Sequence, residues 1–224
     1  MKDLVCLHAG TSGPSTWNRF VPEFEALGYR VHCPTLLGHG TAPRRRPYLL
    51  NDFRDHVLGE LDGRVTLIGN SLGAFVASAI AVADPGRVER LVLEEIPVPP
   101  RNARDGSPTT RHLPGLALRA AGLLTRGRCD PRLLHDVITD LRRPNPTWWA
   151  GLHKVEAPAL ILAGGPKSHL DQSRFALLAN SMPNATIRTI EAGHRIHSTA
   201  PDRWLAEVGQ FLAFKEGRTS RLRA

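Results

Sequence analysis

At 224 residues, 42% of them hydrophobic, the chain can bury one sizeable core, and nothing in it reads as a second independent domain. Its formal net charge of +8 would suit a nucleic-acid partner, yet the arginines are dispersed apart from residues 44–46 and the closing GRTSRLRA, with no nucleic-acid module around them. No run approaches the roughly 20 apolar residues that span a bilayer, and the apolar part of MKDLVCLHAG is too short for a signal peptide, so a cytoplasmic protein is expected.

The elements alternate along the chain. An apolar strand at 4–8 leads into His8-Ala9-Gly10-Thr11-Ser12-Gly13, a helical pattern follows at 16–27, and a second strand lies at 29–33. A helix at 49–61, a strand at 65–69, a helix at 71–83 and a strand at 91–95 continue the series. Between 97 and 149 the alternation breaks: PVPPRNARDGSPTTRHLPG is loop-like, and helical stretches at 116–124 and 131–141 come after it. Pro144, Pro146 and Pro158 punctuate the return to strands at 159–163 and 185–190, with helices at 170–180 and 201–214. Near-continuous apolar strands separated by helices specify a doubly wound α/β fold, a mainly parallel sheet of about six strands covered on both faces. Residues 1–97 and 150–216 form the core in this reading, 98–149 a helical cap insertion and 217–224 a basic flexible tail. Cys6, Cys33 and Cys129 are too few and too scattered for a disulfide framework or a zinc site, so no metal is expected.

Open α/β sheets bind ligands at the carboxyl ends of their strands. Gly69-Asn70-Ser71-Leu72-Gly73 puts Ser71 at a strand-to-helix turn, where a strained apex leaves no room for side chains two residues before and after. On the turn alone, a helix-capping serine explains Ser71 equally well. The other strand ends decide between them. A glycine loop follows the first strand, Glu94 and Glu95 end the fourth, and Gly193-His194 follows the sixth, so serine, acid and histidine fall in that chain order on one edge.

In LHAGTSGPSTW, CPTLLGHGTAP, GNSLG and EAGHRIHSTAPDRW the chain resembles the α/β-hydrolase superfamily over nearly its whole length, with a lean towards carboxylesterases and monoacylglycerol lipases. It departs from that pattern at four places: no N-terminal hairpin is expected, since the first strand matches the third of the family, Ala9 replaces the glycine of the HG pair, Thr35 replaces a frequent aspartate, and Lys167 stands where many members carry the acid. Some members place the acid after the fourth of these strands, and the matching position is Glu95; Glu94 and then Asp171 are the alternatives.

The resemblance implies an esterase, lipase or thioesterase that acts on a small-molecule ester or thioester through an acyl-enzyme, with no cofactor. Ser71 is the nucleophile, His194 the base, Glu95 its orienting acid, and the Gly10 and Leu72 N–H groups form the oxyanion hole. The same fold and triad also serve C–C bond and hydroxynitrile cleavage, and some members only bind small ligands. His8 and His39 are read as structural, His197 as a packing or capping residue, and Trp148 and Trp149 as closing the insertion.

Overall fold

The computed structural model describes residues 1–108 and 128–213. The helix expected at 116–124 and the tail at 217–224 lie outside the described residues. Strands β1 (Lys2–Leu7), β2 (Tyr29–His32), β3 (Val65–Asn70), β4 (Val88–Glu94), β5 (Ala159–Ala163) and β6 (Ala185–Thr189) form one sheet. Its spatial order is β2-β1-β3-β4-β5-β6 and every pairing is parallel. The order reverses at β1 and β3, the switch point where doubly wound sheets open a crevice at their carboxyl ends.

Strand residues alternate between two hydrophobic layers. Val5, Leu7, Leu67, Leu91, Leu93 and Ile161 face one layer, which contains α2 (Leu50–Gly59), α3 (Leu72–Ala83) and α4 (Leu133–Leu141). Leu4, Cys6, Ile68, Val92, Leu160 and Leu162 face the other, where Trp17, Phe20 and Phe24 meet Trp204 and Val208 of the long C-terminal helix. The inner strands β1, β3, β4 and β5 are thus covered on both faces, which is why they read as near-continuous apolar runs, whereas the edge strands β2 and β6 keep exposed residues. Helix α3 is buried over ten consecutive residues, Leu72 to Ala81, so it is held as firmly as the sheet beneath it.

Proline divides one expected helix and starts another where none was expected. The pattern at 16–27 is a 3-10 helix (Pro14–Phe20) followed by α1 (Val21–Ala26), each with a proline in its first turn. Pro146, read from the sequence as a break, instead starts α5 (Pro146–Gly151), whose N-cap Asn145 side chain accepts the Trp148 N–H at 3.1 Å. The remaining helices are α6 (Ser173–Asn180), the short α7 (Ile196–Thr199) and α8 (Pro201–Ala213). Among the described residues no helix is long and apolar enough to cross a membrane.

Candidate active site

Ser71 sits one residue past β3 with φ 54 and ψ −116, a region costly for any side-chain-bearing residue. Its side chain makes no capping bond to α3, which removes the capping explanation for a serine here. The flanking glycines are required by contact with other backbone. A Cβ on Gly69 would come within 2.3 Å of the Gly73 carbonyl oxygen, and one on Gly73 within 2.1 Å of the Leu7 carbonyl oxygen. The turn is therefore compressed against both the start of α3 and the end of β1, a tighter constraint than a clash between the two flanking positions alone.

Glu95 occupies the equivalent place on the neighbouring strand. Asn70 and Glu94 are register partners, and the ladder continues one step further, with the Ser71 N–H donating to the Glu94 carbonyl (2.9 Å) and the Glu95 N–H to the Leu162 carbonyl (2.9 Å). Glu95 also has a positive φ, 49°, and no non-glycine residue other than these two does so among the described residues. The strand ends at Glu94, and the twist at Glu95 carries its carboxylate toward the loop after β6, where Oε2 lies 3.2 Å from His194 Nδ1. Glu95 is fully buried, and its charge is met by the Gly164 N–H (2.5 Å), the Gln172 side-chain amide (3.1 Å) and the Ser168 hydroxyl. The loop after β5, which has Lys167 at the usual acid position, thus supplies hydrogen-bond donors to a glutamate just past β4.

The two alternative acids are engaged elsewhere. Asp171 Oδ1 accepts from the Ser173 N–H (3.1 Å) and hydroxyl (2.6 Å) at the start of α6. Glu94 lies on the opposite face of the sheet and meets His197 Nδ1 at 2.8 Å.

The glycine loop after β1 is set by a buried histidine. His8 Nε2 accepts the Leu36 N–H (3.1 Å), so its proton resides on Nδ1, which donates to the Ala9 carbonyl (2.9 Å). In a trans peptide the N–H points away from the carbonyl, so this bond aims the Gly10 N–H away from His8. Gly10 packs directly on Leu72, with its Cβ position 3.5 Å from Leu72 Cδ2, so the two expected oxyanion donors are neighbours. His39 Nε2 lies 3.1 Å from the Gly10 carbonyl and holds the next peptide; burial lowers its pKa.

Burial, and next the adjacent His39, push the His8 pKa down to about 4. Because the unfolded chain binds this proton near 6.5, stability from a neutral His8 is complete above that pH and falls as pH drops toward 4. Urea titrations are expected to show a loss of about 3 kcal/mol across this window, and His8→Asn should flatten that part of the profile. An unchanged slope in His8→Asn would assign the acid sensitivity to other groups.

Ser71 and His194 open onto one cavity of about 180 Å³. Its walls are Leu72, Pro97, Leu133, Val137, Ile138, Leu141 and Leu170, with Gly10 at one side and the exposed Arg195 at the mouth. His169 also lines it, its ring centroid 4.2 Å from that of His194, a neighbour that sequence reasoning passed over because no motif marks it. Larger clefts of about 460 and 730 Å³ open elsewhere on the surface, and neither is lined by Ser71 or His194. Trp148 and Trp149 do not line the site cavity. Trp148 is buried with its indole N–H on the Ser78 hydroxyl (3.1 Å), and Trp149 donates to the Pro99 carbonyl (2.9 Å).

The geometry has counterparts among known proteins. The Alpha/beta hydrolase family profile matches residues 4–208. The chain belongs to that family. It is 28% identical over 236 residues to a pimeloyl-[acyl-carrier protein] methyl ester esterase of Aromatoleum aromaticum, covering 89% of this chain and 94% of the relative. To the protein of the same description from Pectobacterium carotovorum it is 33% identical over 241 residues, covering 93% of each. Among solved structures, a hydrolase from Pseudomonas aeruginosa PA01 superposes with a TM-score of 0.75 at 23% identity, over 95% of this chain and 91% of that one, a likeness of fold. A member of this hydrolase family with esterase relatives is an enzyme.

Proposed function

We propose that the chain is a serine hydrolase that cleaves a small-molecule carboxylic ester or thioester through an acyl-enzyme on Ser71. The observation that carries this reading is the convergence of a strained Ser71 and a Glu95-held His194 on one apolar cavity. Glu95 accepts the Nδ1–H of His194, leaving Nε2 free to take the proton of the Ser71 hydroxyl as its oxygen attacks the acyl carbonyl. The Gly10 and Leu72 N–H groups receive the oxyanion, each donor worth roughly 3 to 4 kcal/mol to the transition state. As the tetrahedral adduct collapses, His194 returns the proton to the departing alcohol or thiol. Water enters and gives its proton to His194 as its oxygen attacks the acyl carbonyl on Ser71; this second adduct collapses as His194 returns the proton to Ser71 Oγ, releasing the acid and the free serine. These residues supply the nucleophile and every proton transfer, so the reading calls for no cofactor.

The cap reading joins this one. Residues 98–149 are proposed as the insertion over the core of 1–97 and 150–216, because α4 supplies Leu133, Val137, Ile138 and Leu141 to the cavity wall. A cavity of about 180 Å³ with an apolar lining favours short to medium acyl chains. The test is a p-nitrophenyl ester chain-length panel together with a fluorophosphonate probe. Turnover is expected to peak at short to medium chains and the probe to attach to Ser71 in peptide mapping. Absence of both would favour a ligand-binding member without catalysis.

A further inference from the structure

Two consecutive glutamates, the last residue of β4 and the one after it, each hold a histidine of the segment between β6 and α8, and only one of these pairs takes part in the chemistry proposed above. The other is Glu94 with His197. Strand alternation sends Glu94 to the layer of Val92, away from the cavity, while Glu95, one residue past the strand with φ 49°, turns its carboxylate to His194. Both partners are buried, Glu94 at 0% and His197 at 2% relative exposure. Glu94 Oε1 and Oε2 lie 2.8 and 2.9 Å from His197 Nδ1, and Oε1 also accepts the His197 backbone N–H at 3.2 Å. On its far side, His197 Nε2 is 2.9 Å from the half-buried Thr16 hydroxyl. The imidazole packs against Trp17, ring centroids 4.7 Å apart.

Stability alone is a weak account of this chain of groups. Replacing a buried hydrogen-bonded polar pair with apolar residues of similar volume is often close to neutral, and the surroundings here are Trp17, Phe20 and Trp204. What the chain does is join three segments that each carry a part of the site. Thr16 begins six residues after Gly10 on the segment that continues the glycine loop. The Glu94 carbonyl accepts the Ser71 N–H. His197 lies three residues past His194, whose own carbonyl accepts the Asn70 side-chain amide at 3.3 Å.

We propose that Thr16, His197 and Glu94 form a positioning chain that fixes the His194 loop and the glycine loop relative to Ser71, seen in the Glu94 carboxylate gripping both the ring and the backbone N–H of His197. This rests on the serine-hydrolase reading. None of the three residues touches the reacting atoms; they act through the placement of His194 and Gly10.

The test measures kcat and KM per active site, counted by fluorophosphonate end-point titration, for Glu94→Gln, His197→Gln, the double variant and Thr16→Val, with Ser71→Ala as control. Glu94→Gln and His197→Gln are each expected to lower kcat about 10- to 100-fold with KM within about twofold, because misplacement of the base affects the chemical step and leaves the cavity wall intact. The double variant should lose no more than the worse single one, the mark of residues acting as a unit. A kcat per titrated site equal to wild type, with changes confined to Tm or to the titratable fraction, would reduce the chain to a structural role and overturn the proposal. Additive losses in the double variant would do the same. If Glu94→Gln fails to fold, Thr16→Val decides, since it removes one hydroxyl at the half-buried end: a several-fold loss in kcat at unchanged Tm supports positioning, and wild-type kcat overturns it. Turnover by Ser71→Ala would instead overturn the underlying serine reading.

Discussion

Ser71→Ala is expected to cut ester turnover by about five to six orders of magnitude while leaving the fold and Tm close to wild type. The fold argument is direct. The side chain of Ser71 makes no capping bond, and alanine occupies the same strained backbone without adding volume. The turn itself is held by groups the substitution does not touch: the Ser71 N–H on the Glu94 carbonyl, the Phe75 N–H on the Ser71 carbonyl, and the close approach of Gly73 to Leu7. The activity argument follows from the mechanism, since without Oγ no acyl-enzyme forms and the oxyanion donors alone retain only a small acceleration over water. The p-nitrophenyl panel measures it, with loss of fluorophosphonate labelling as a second readout. Activity in Ser71→Ala within a few fold of wild type would remove the covalent mechanism altogether.

The sheet was legible because its inner strands are buried on both faces, which writes them as apolar runs such as Ala159 to Ala163, while the edge strands β2 and β6 keep exposed polar residues. Helix types were less so. The pattern at 16–27 carries the right apolar spacing for one helix, and only the positions of Pro14 and Pro22, each able to open a new helical turn, divide it. Ser71 was legible from a local signal, the two glycines, although their real constraint lies in the Leu7 carbonyl and the start of α3, which no local reading reveals. The place of Glu95 came from resemblance, and its reason is non-local. The Gly164 N–H, the Ser168 hydroxyl and the Gln172 amide converge on it from a loop about seventy residues away, and no spacing rule connects such donors to an acid on another strand. The His197–Glu94 pair was invisible for a related reason. It depends on which face each residue of a Glu-Glu doublet takes, and the backbone twist at Glu95 that settles this is a property of the folded strand end.

Glu95→Gln is expected to lower kcat by about three to four orders of magnitude, whereas Asp171→Asn should stay within about twofold of wild type. The contrast rests on what each carboxylate holds. Glutamine keeps the length of Glu95; with its oxygen in the Oε1 place it still accepts from Gly164, and its NH2 in the Oε2 place can donate to the Ser168 hydroxyl, so the loop after β5 retains its anchor. What it removes is the charge that stabilises an imidazolium at His194. Its amide can also donate to Nδ1, which would shift the proton to Nε2 and leave no acceptor for the Ser71 hydroxyl. Asp171, by contrast, serves the first turn of α6, with Oδ1 on Ser173 and Oδ2 3.8 Å from Arg174 Nε, and asparagine preserves the acceptor for Ser173. Steady-state kinetics of the two variants on the same ester therefore separate the two positions that a carboxylate could occupy. A large loss in Asp171→Asn with little in Glu95→Gln would return the acid to the loop after β5, and would require that loop to rearrange when substrate binds, since the Ser168 and Gly164 donors now point at β4.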